Sequence, residues 1–221
     1  MDAQSTTIDW LSPWLTVWVS PRTTIRKIVD SDPHRFIVGI AWVAGALAAL
    51  NLEGINSAEV PVNLTGPVGL SSLGSIGEAL FAFVLGVAGV AMVYLLAMLY
   101  RWSGALLGGT GQTPEVRSAL AWAQVPAIYI SLLGVIVAVA GIDEPTMRTQ
   151  LRPAFSWWAL VQAALAVWAF VITLKMIGEV HRFSAWRAFA ATILGGLAVF
   201  GAAFGMLLLF VVALVIGRAL F

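Results

Sequence analysis

The residues that could do chemistry in this sequence are few, and four of them stand together. Asp30, Asp32, His34 and Arg35 fall within VDSDPHR, residues 29–35, just ahead of a long apolar run. Carboxylates beside an imidazole are the ingredients of a metal site, an acid–base pair or a proton relay. The only other histidine is His181, with Glu179 close before it, so His34, His181 and Glu179 are the candidate metal ligands if the two stretches meet. The rest of the sequence argues against catalysis. It holds no Cys, hence no thiolate ligand or nucleophile, and it lacks H-E-x-x-H, a G-x-S-x-G elbow or an Asp-rich diphosphate motif. The expectation is a non-enzyme with no cofactor, no catalytic residue and no bound metal.

A plainer duty for the cluster comes from the elements around it. Ser12-Pro13, Ser20-Pro21, Asp32-Pro33 and Thr113-Pro114 each set a capping side chain before a proline. Such a side chain accepts a free backbone N–H at a helix start, and proline in the first turn loses no hydrogen bond. Asp32 and Pro33 are thus predicted to start a helix, as are Thr113 and Pro114, with Arg35 anchoring the helix at a membrane surface. Asp30 is expected to pair with Arg26 one turn earlier.

Composition says what surface that is. Of 221 residues, 60% are hydrophobic and only 10% charged, with a mean hydropathy of +0.93. A soluble domain carries about 25% charged residues, so most of this chain belongs in lipid. Ten Trp agree, because indoles favour the lipid–water boundary. The start of the chain lacks the basic and apolar regions of a cleaved signal. A net charge of +1 gives no reason to expect a nucleic-acid partner.

A span needs about 20 apolar residues. The predicted fold is an all-α integral membrane protein: five transmembrane helices, over about 36–52, 78–100, 120–140, 155–177 and 188–216, preceded by short interfacial amphipathic helices. Two regions follow, a cytoplasmic interfacial segment over 1–35 and a membrane domain over 36–221. Nine basic residues fall on one side (Arg22, Arg26, Lys27, Arg35, Arg101, Arg117, Lys175, Arg182, Arg187) and three on the other (Arg148, Arg152, Arg218). Positive charge marks the cytoplasmic side, so the N-terminus is expected inside and the C-terminus outside.

Trp10, Trp14 and Trp18 recur on one helical face, and Ile25, Ile28 and Val29 form an apolar edge opposite Arg22, Arg26 and Lys27. That is the pattern of an interfacial amphipathic helix, although the same stripe could pack on the bundle instead. GGTGQTPEVRSALAWAQVP, residues 108–126, lacks the Gly-Lys-Ser/Thr of a phosphate loop. Its glycines are expected to end the second span, with Pro126 kinking the next helix. In KMIGEVHRFSAWRAFAA, residues 175–191, Phe183, Trp186 and Phe189 are expected at the interface beside Arg182 and Arg187. Glu78 and Lys175 occur only at span ends, and no Asp, Glu, Lys or Arg lies in the middle of a span; Gln162 is read as interhelical glue, and Gly104–Gly108, Gly201–Gly205 and Ala41–Gly45–Ala49 as close-packing spacings. The predicted lipid- or partner-binding residues are Arg22, Arg26, Lys27, Arg35, Arg117, Arg182 and Arg187. The sequon Asn63-Leu64-Thr65 in a predicted outer loop is given no function.

The chain resembles the Yip family, five-span membrane proteins named for interacting with Ypt/Rab GTPases, and within it the bacterial branch. The residues that carry the likeness are PWLTVWVSPRTTIRKIVDSDPHR at 13–35, GGTGQTPEVRSALAWAQVP at 108–126 and GEVHRFSAWRAF at 178–189. Eukaryotic members act in membrane traffic and shaping, engaging GTPases and other Yip proteins through a longer N-terminal region than the roughly 35 residues here. The resemblance implies a membrane-organising or accessory role in a bacterial inner membrane, with a second copy or another membrane protein as partner, and the basic residues add anionic lipid headgroups. The alternative from the residues is a small-molecule or lipid transporter or scramblase, suggested by Pro126 and the glycine-rich spans.

Overall fold

The computed structural model describes residues 12–56, 75–139 and 157–220, and all its described elements are helical. Trp10, the sequon at 63–65, Arg148 and Arg152 lie outside them. Two short helices, α1 (Ser12–Val19) and α2 (Pro21–Ser31), precede α3 (Ile37–Asn56) and α4 (Ser75–Leu106). Then come α5 (Thr113–Trp122), α6 (Val125–Val139), α7 (Trp157–Val180) and α8 (Ala185–Leu220).

Among the described residues, four helical stretches are long and apolar enough to cross a membrane: Ala79–Leu106, Thr113–Gly134, Leu160–Val180 and Ala185–Phe210. The stretch Ile37–Ala48 of α3 is apolar but shorter. This is an integral membrane protein. The predicted third span, 120–140, divides at Ala123 and Gln124 into α5 and α6. Pro126 has no N–H to donate to the carbonyl of Trp122, so the ladder stops there.

The buried side chains gather at the basic face. α5 is the hub, packing on α2, α3, α4 and α7, with Val116, Ser118, Ala119, Leu120, Ala121 and Trp122 buried. The apolar side of the N-terminal helices lies on the bundle, which decides between the two readings of that stripe. α1 contacts α6, and α2 contacts α5 and α7; Val17, Thr24, Ile25 and Ile28 are buried. The Trp14 ring sits 5.1 Å from Trp122, and Trp168 Nε1 donates to the Trp18 carbonyl at 3.2 Å. The hydroxyls of Thr16 and Thr24 share a 2.8 Å hydrogen bond that fixes the corner between α1 and α2.

Of the small-residue spacings, Ala41 and Gly45 bring α3 against α4. A Cβ on Gly89 would lie 2.7 Å from the Ala41 carbonyl oxygen, and one on Gly45 would strike that of Leu85. Gly201 and Gly205 have open space where a Cβ would go, so no packing uses them among the described residues. Nor does Gln162 act as glue there, since it is exposed on α7.

Candidate functional site

The basic face is assembled from α2, the turn after it, the α4–α5 loop and the α7–α8 loop. Asp32 does cap, but one element early. Its Oδ1 accepts from His34 N–H at 2.8 Å, and Pro33 opens a turn that ends with Phe36 at φ 57° before α3 begins. The helix start near Thr113 also shifts. Gln112 is the cap, its N–H donating to Glu115 Oε2 at 2.9 Å, while Thr113 and Pro114 occupy the first turn. The carboxylates act in opposite directions: Glu115 reaches back to the Gln112 N–H and makes it the helix boundary, while Asp32 reaches forward to the His34 N–H and closes a turn ahead of α3.

Arg26 does not pair with Asp30. Its Nε donates to Glu179 Oε1 at 2.7 Å and its Nη2 binds the same oxygen, while Arg22 Nη1 lies 3.7 Å from Oε2. One carboxylate on α7 thus holds two arginines of α2. The hydrogen bond and charge of Glu179 raise the Arg26 pKa further above its ordinary value. Arg117 lies 3.2 Å from His34 Nδ1 and stacks over Tyr94, 4.5 Å from the ring centroid. Arg35 covers Phe36 at 5.2 Å. Lys27, Arg101, Arg182 and Arg187 have no side-chain ion pair or hydrogen bond among the described residues.

His34, His181 and Glu179 therefore part company: His34 faces Arg117, His181 is buried, and the Glu179 carboxylate is bound to the arginines of α2. Among the described residues no three His, Asp or Glu side chains gather where a metal could sit.

The glycine-lined burial of His181 is the feature sequence reasoning missed. Two helix ends meet around it. At the end of α4, Gly109 N–H donates to the Gly104 carbonyl (2.8 Å) and Gly108 N–H to that of Ala105 (3.0 Å), with Gly108 at φ 79°. At the end of α7, Phe183 N–H donates to the Gly178 carbonyl (2.8 Å) and Arg182 N–H to that of Glu179 (3.1 Å), with Arg182 at φ 58°. Both are Schellman ends, closing a helix through one left-handed residue. Thr110 N–H then donates to the His181 carbonyl at 3.3 Å, tying one end to the other.

The His181 ring is 1% exposed and stacks on Phe183, so Phe183 is buried there rather than placed at the lipid interface. A glycine cradle encloses it. A Cβ on Gly104 would lie 2.5 Å from Cε1, on Gly109 2.6 Å from Nδ1, and on Gly111 2.9 Å from Nδ1. Gly111 N–H donates to Nδ1 at 3.3 Å, which puts the ring proton of the neutral form on Nε2. That Nε2 is buried without a hydrogen-bond partner among the described residues. Burial pushes the His181 pKa down, opposed by the Tyr100 carbonyl and the Glu115 charge. The spacing Gly104, Gly109, Gly111 was in view all along, but nothing local links it to a histidine 70 residues away.

On the outer side of the same loop is an open cleft of about 350 Å³, lined by Met98, Arg101, Trp102 and Ala105 of α4 and by residues 109–113.

No curated protein and no solved structure matches this chain. The family model of the Yip1 domain matches residues 15–215, from within α1 to within α8. That span takes in the larger part of α1, all of α2, the two clasped helix ends and every apolar span just described. The chain belongs to the Yip1 domain family.

Proposed function

We propose that this protein is a non-catalytic membrane organiser whose basic face binds anionic lipid headgroups, with that face and the N-terminus on the cytoplasmic side of a bacterial inner membrane and five helices crossing it. The observation that carries the reading is the set of cations left over after pairing. Glu179 occupies Arg22 and Arg26, and His34 and Tyr94 occupy Arg117. Lys27, Arg182 and Arg187 remain exposed and unpaired among the described residues. Each such cation near an anionic membrane surface contributes about 1 kcal/mol of attraction. Non-catalytic fits the chemistry too, because His34 and Glu179 are held by arginines and His181 is shut away from solvent.

The test compares the wild-type protein with a variant carrying Lys27→Gln, Arg182→Gln and Arg187→Gln, both reconstituted in nanodiscs of mixed anionic and zwitterionic lipid. The wild type is expected to enrich anionic lipid around itself, and the variant to lose most of that enrichment. Salt should weaken the effect in the wild type, since exposed charges are screened within about 10 Å at 0.1 M. Equal enrichment in both proteins would refute the reading. Lipid-scrambling activity in proteoliposomes would favour a transport role instead.

A further inference from the structure

The cleft beside the α4–α5 loop brings together polar donors and an apolar wall. Arg101 and Trp102 stand on its α4 wall, and Thr110 and Thr113 on its loop wall. None of these four side chains makes a hydrogen bond or ion pair among the described residues. The backbone N–H groups of the loop are, by contrast, already used: Thr110 and Gly111 donate to His181, and Gln112 donates to Glu115. The free donors are therefore a guanidinium, an indole N–H and two hydroxyls. Glu115, the nearby carboxylate, is turned to the Gln112 N–H and does not line the cleft. A volume of about 350 Å³ lies in the range of small-ligand clefts, ~300–1,000 Å³.

Depth identifies the ligand. Arg101 lies 22 residues beyond Ala79, where the apolar stretch of α4 begins, which is about 33 Å along a helix. The hydrocarbon core is about 30 Å thick, so Arg101 and Trp102 reach the level of the phosphates. One turn deeper along α4 the cleft is walled by Met98, and Leu95 and Met98 are exposed on that side of the helix. A soluble phosphate would meet the polar donors but leave that apolar wall unused.

The geometry points to a headgroup site in this cleft: Arg101 and the hydroxyls of Thr110 and Thr113 hold the phosphodiester of one membrane phospholipid, with its acyl chains running down past Met98 and Leu95. The glycine loop shapes the site, and His181 behind it keeps the loop in place. This rests on the lipid reading of the basic face but names a different residue set, so the two can fail separately.

The test is native mass spectrometry of the full-length protein, released from detergent after equilibration with phosphatidylglycerol, phosphatidylcholine or inorganic phosphate. The wild type is expected to retain one phospholipid. Arg101→Gln should lower its occupancy about tenfold, and Thr110→Ala with Thr113→Ala several-fold. Arg101→Lys is expected to fall between, because lysine keeps the charge but not the forked donor pair. Thermal midpoints of the variants, measured beside this, should match the wild type, because Arg101 is exposed. The Lys27→Gln/Arg182→Gln/Arg187→Gln variant should keep the single lipid. If it loses that lipid while Arg101→Gln keeps it, the cleft proposal is overturned and the broader lipid reading survives. If inorganic phosphate displaces the lipid, or binds alone and is lost in Arg101→Gln, the site is a soluble-phosphate site and the proposal fails. If no protein retains lipid, both fall.

Discussion

Near the basic face, α5 buries six of its ten residues; along α8 from Gly196 to Phe210, every residue but Ala198 and Gly205 is exposed. The contrast follows from the two solvents. Close to water, apolar surface gains by leaving it, so Ile25, Ile28, Val116 and Trp122 collapse into one cluster with the ends of α4 and α7. Inside lipid there is no such drive, because acyl chains are as apolar as leucine, and helices associate only where shape or polar groups favour it. α3 and α4 meet that condition through Gly45 and Gly89. The far part of α8 shows no equivalent among the described residues. Order in this molecule is therefore concentrated where polar bonds, glycines and water-driven burial coincide.

Substitutions that add volume at the two ends should separate them most sharply. Gly109→Ala places a methyl 2.6 Å from His181 Nδ1 and 2.9 Å from the Gly104 carbonyl oxygen. Overpacking of this kind costs about 1–3 kcal/mol, and a thermal melt in detergent is expected to show the loss. Gly201→Ala, with nothing within 4 Å, is expected to leave the midpoint unchanged or raise it, by at most ~1 kcal/mol of helix propensity. Equal losses at both sites would erase the distinction.

Acid should probe the same contrast. The His181 pKa is lowered in the folded protein, so the unfolded chain binds the proton more readily. The stabilising contribution is then fully present above the ordinary histidine value of about 6.5 and is lost as pH falls toward the folded value. Melts across pH 8 to 4.5 are expected to show an acid-side drop in midpoint that His181→Gln flattens. A drop unchanged in that variant would assign the acid sensitivity elsewhere.

The smallest effect is expected at the end of α7. Arg182 sits at φ 58°, where a side chain costs about 1–2 kcal/mol that glycine avoids. Arg182→Gly should raise the melting midpoint slightly, offset in part by glycine's freedom in the unfolded chain. A clear decrease would mean that the guanidinium holds a contact which outweighs the strain.

Much of the fold is legible in one dimension. The apolar lengths place α4, α7 and α8 within six residues of their predicted spans, and Pro126 announces the break before α6. The pairing of charges is not legible in that way. Arg26 looks at Asp30 from one turn away, yet takes Glu179, 153 residues distant, because α2 lies against α7. Lys27 and Arg101 read as equals of Arg26 in the sequence. Folding neutralises one and leaves the other two facing outward.

Hydropathy and proline are local properties, so composition and spacing alone were enough to make this an α-helical membrane chain with one strongly basic face. Which cations stay free, why His181 needs three glycines, and where a headgroup-sized cleft opens depend on contacts between helix ends far apart in the chain. Those contacts form only when apolar burial brings α2, α5 and α7 together, and no window of sequence contains them.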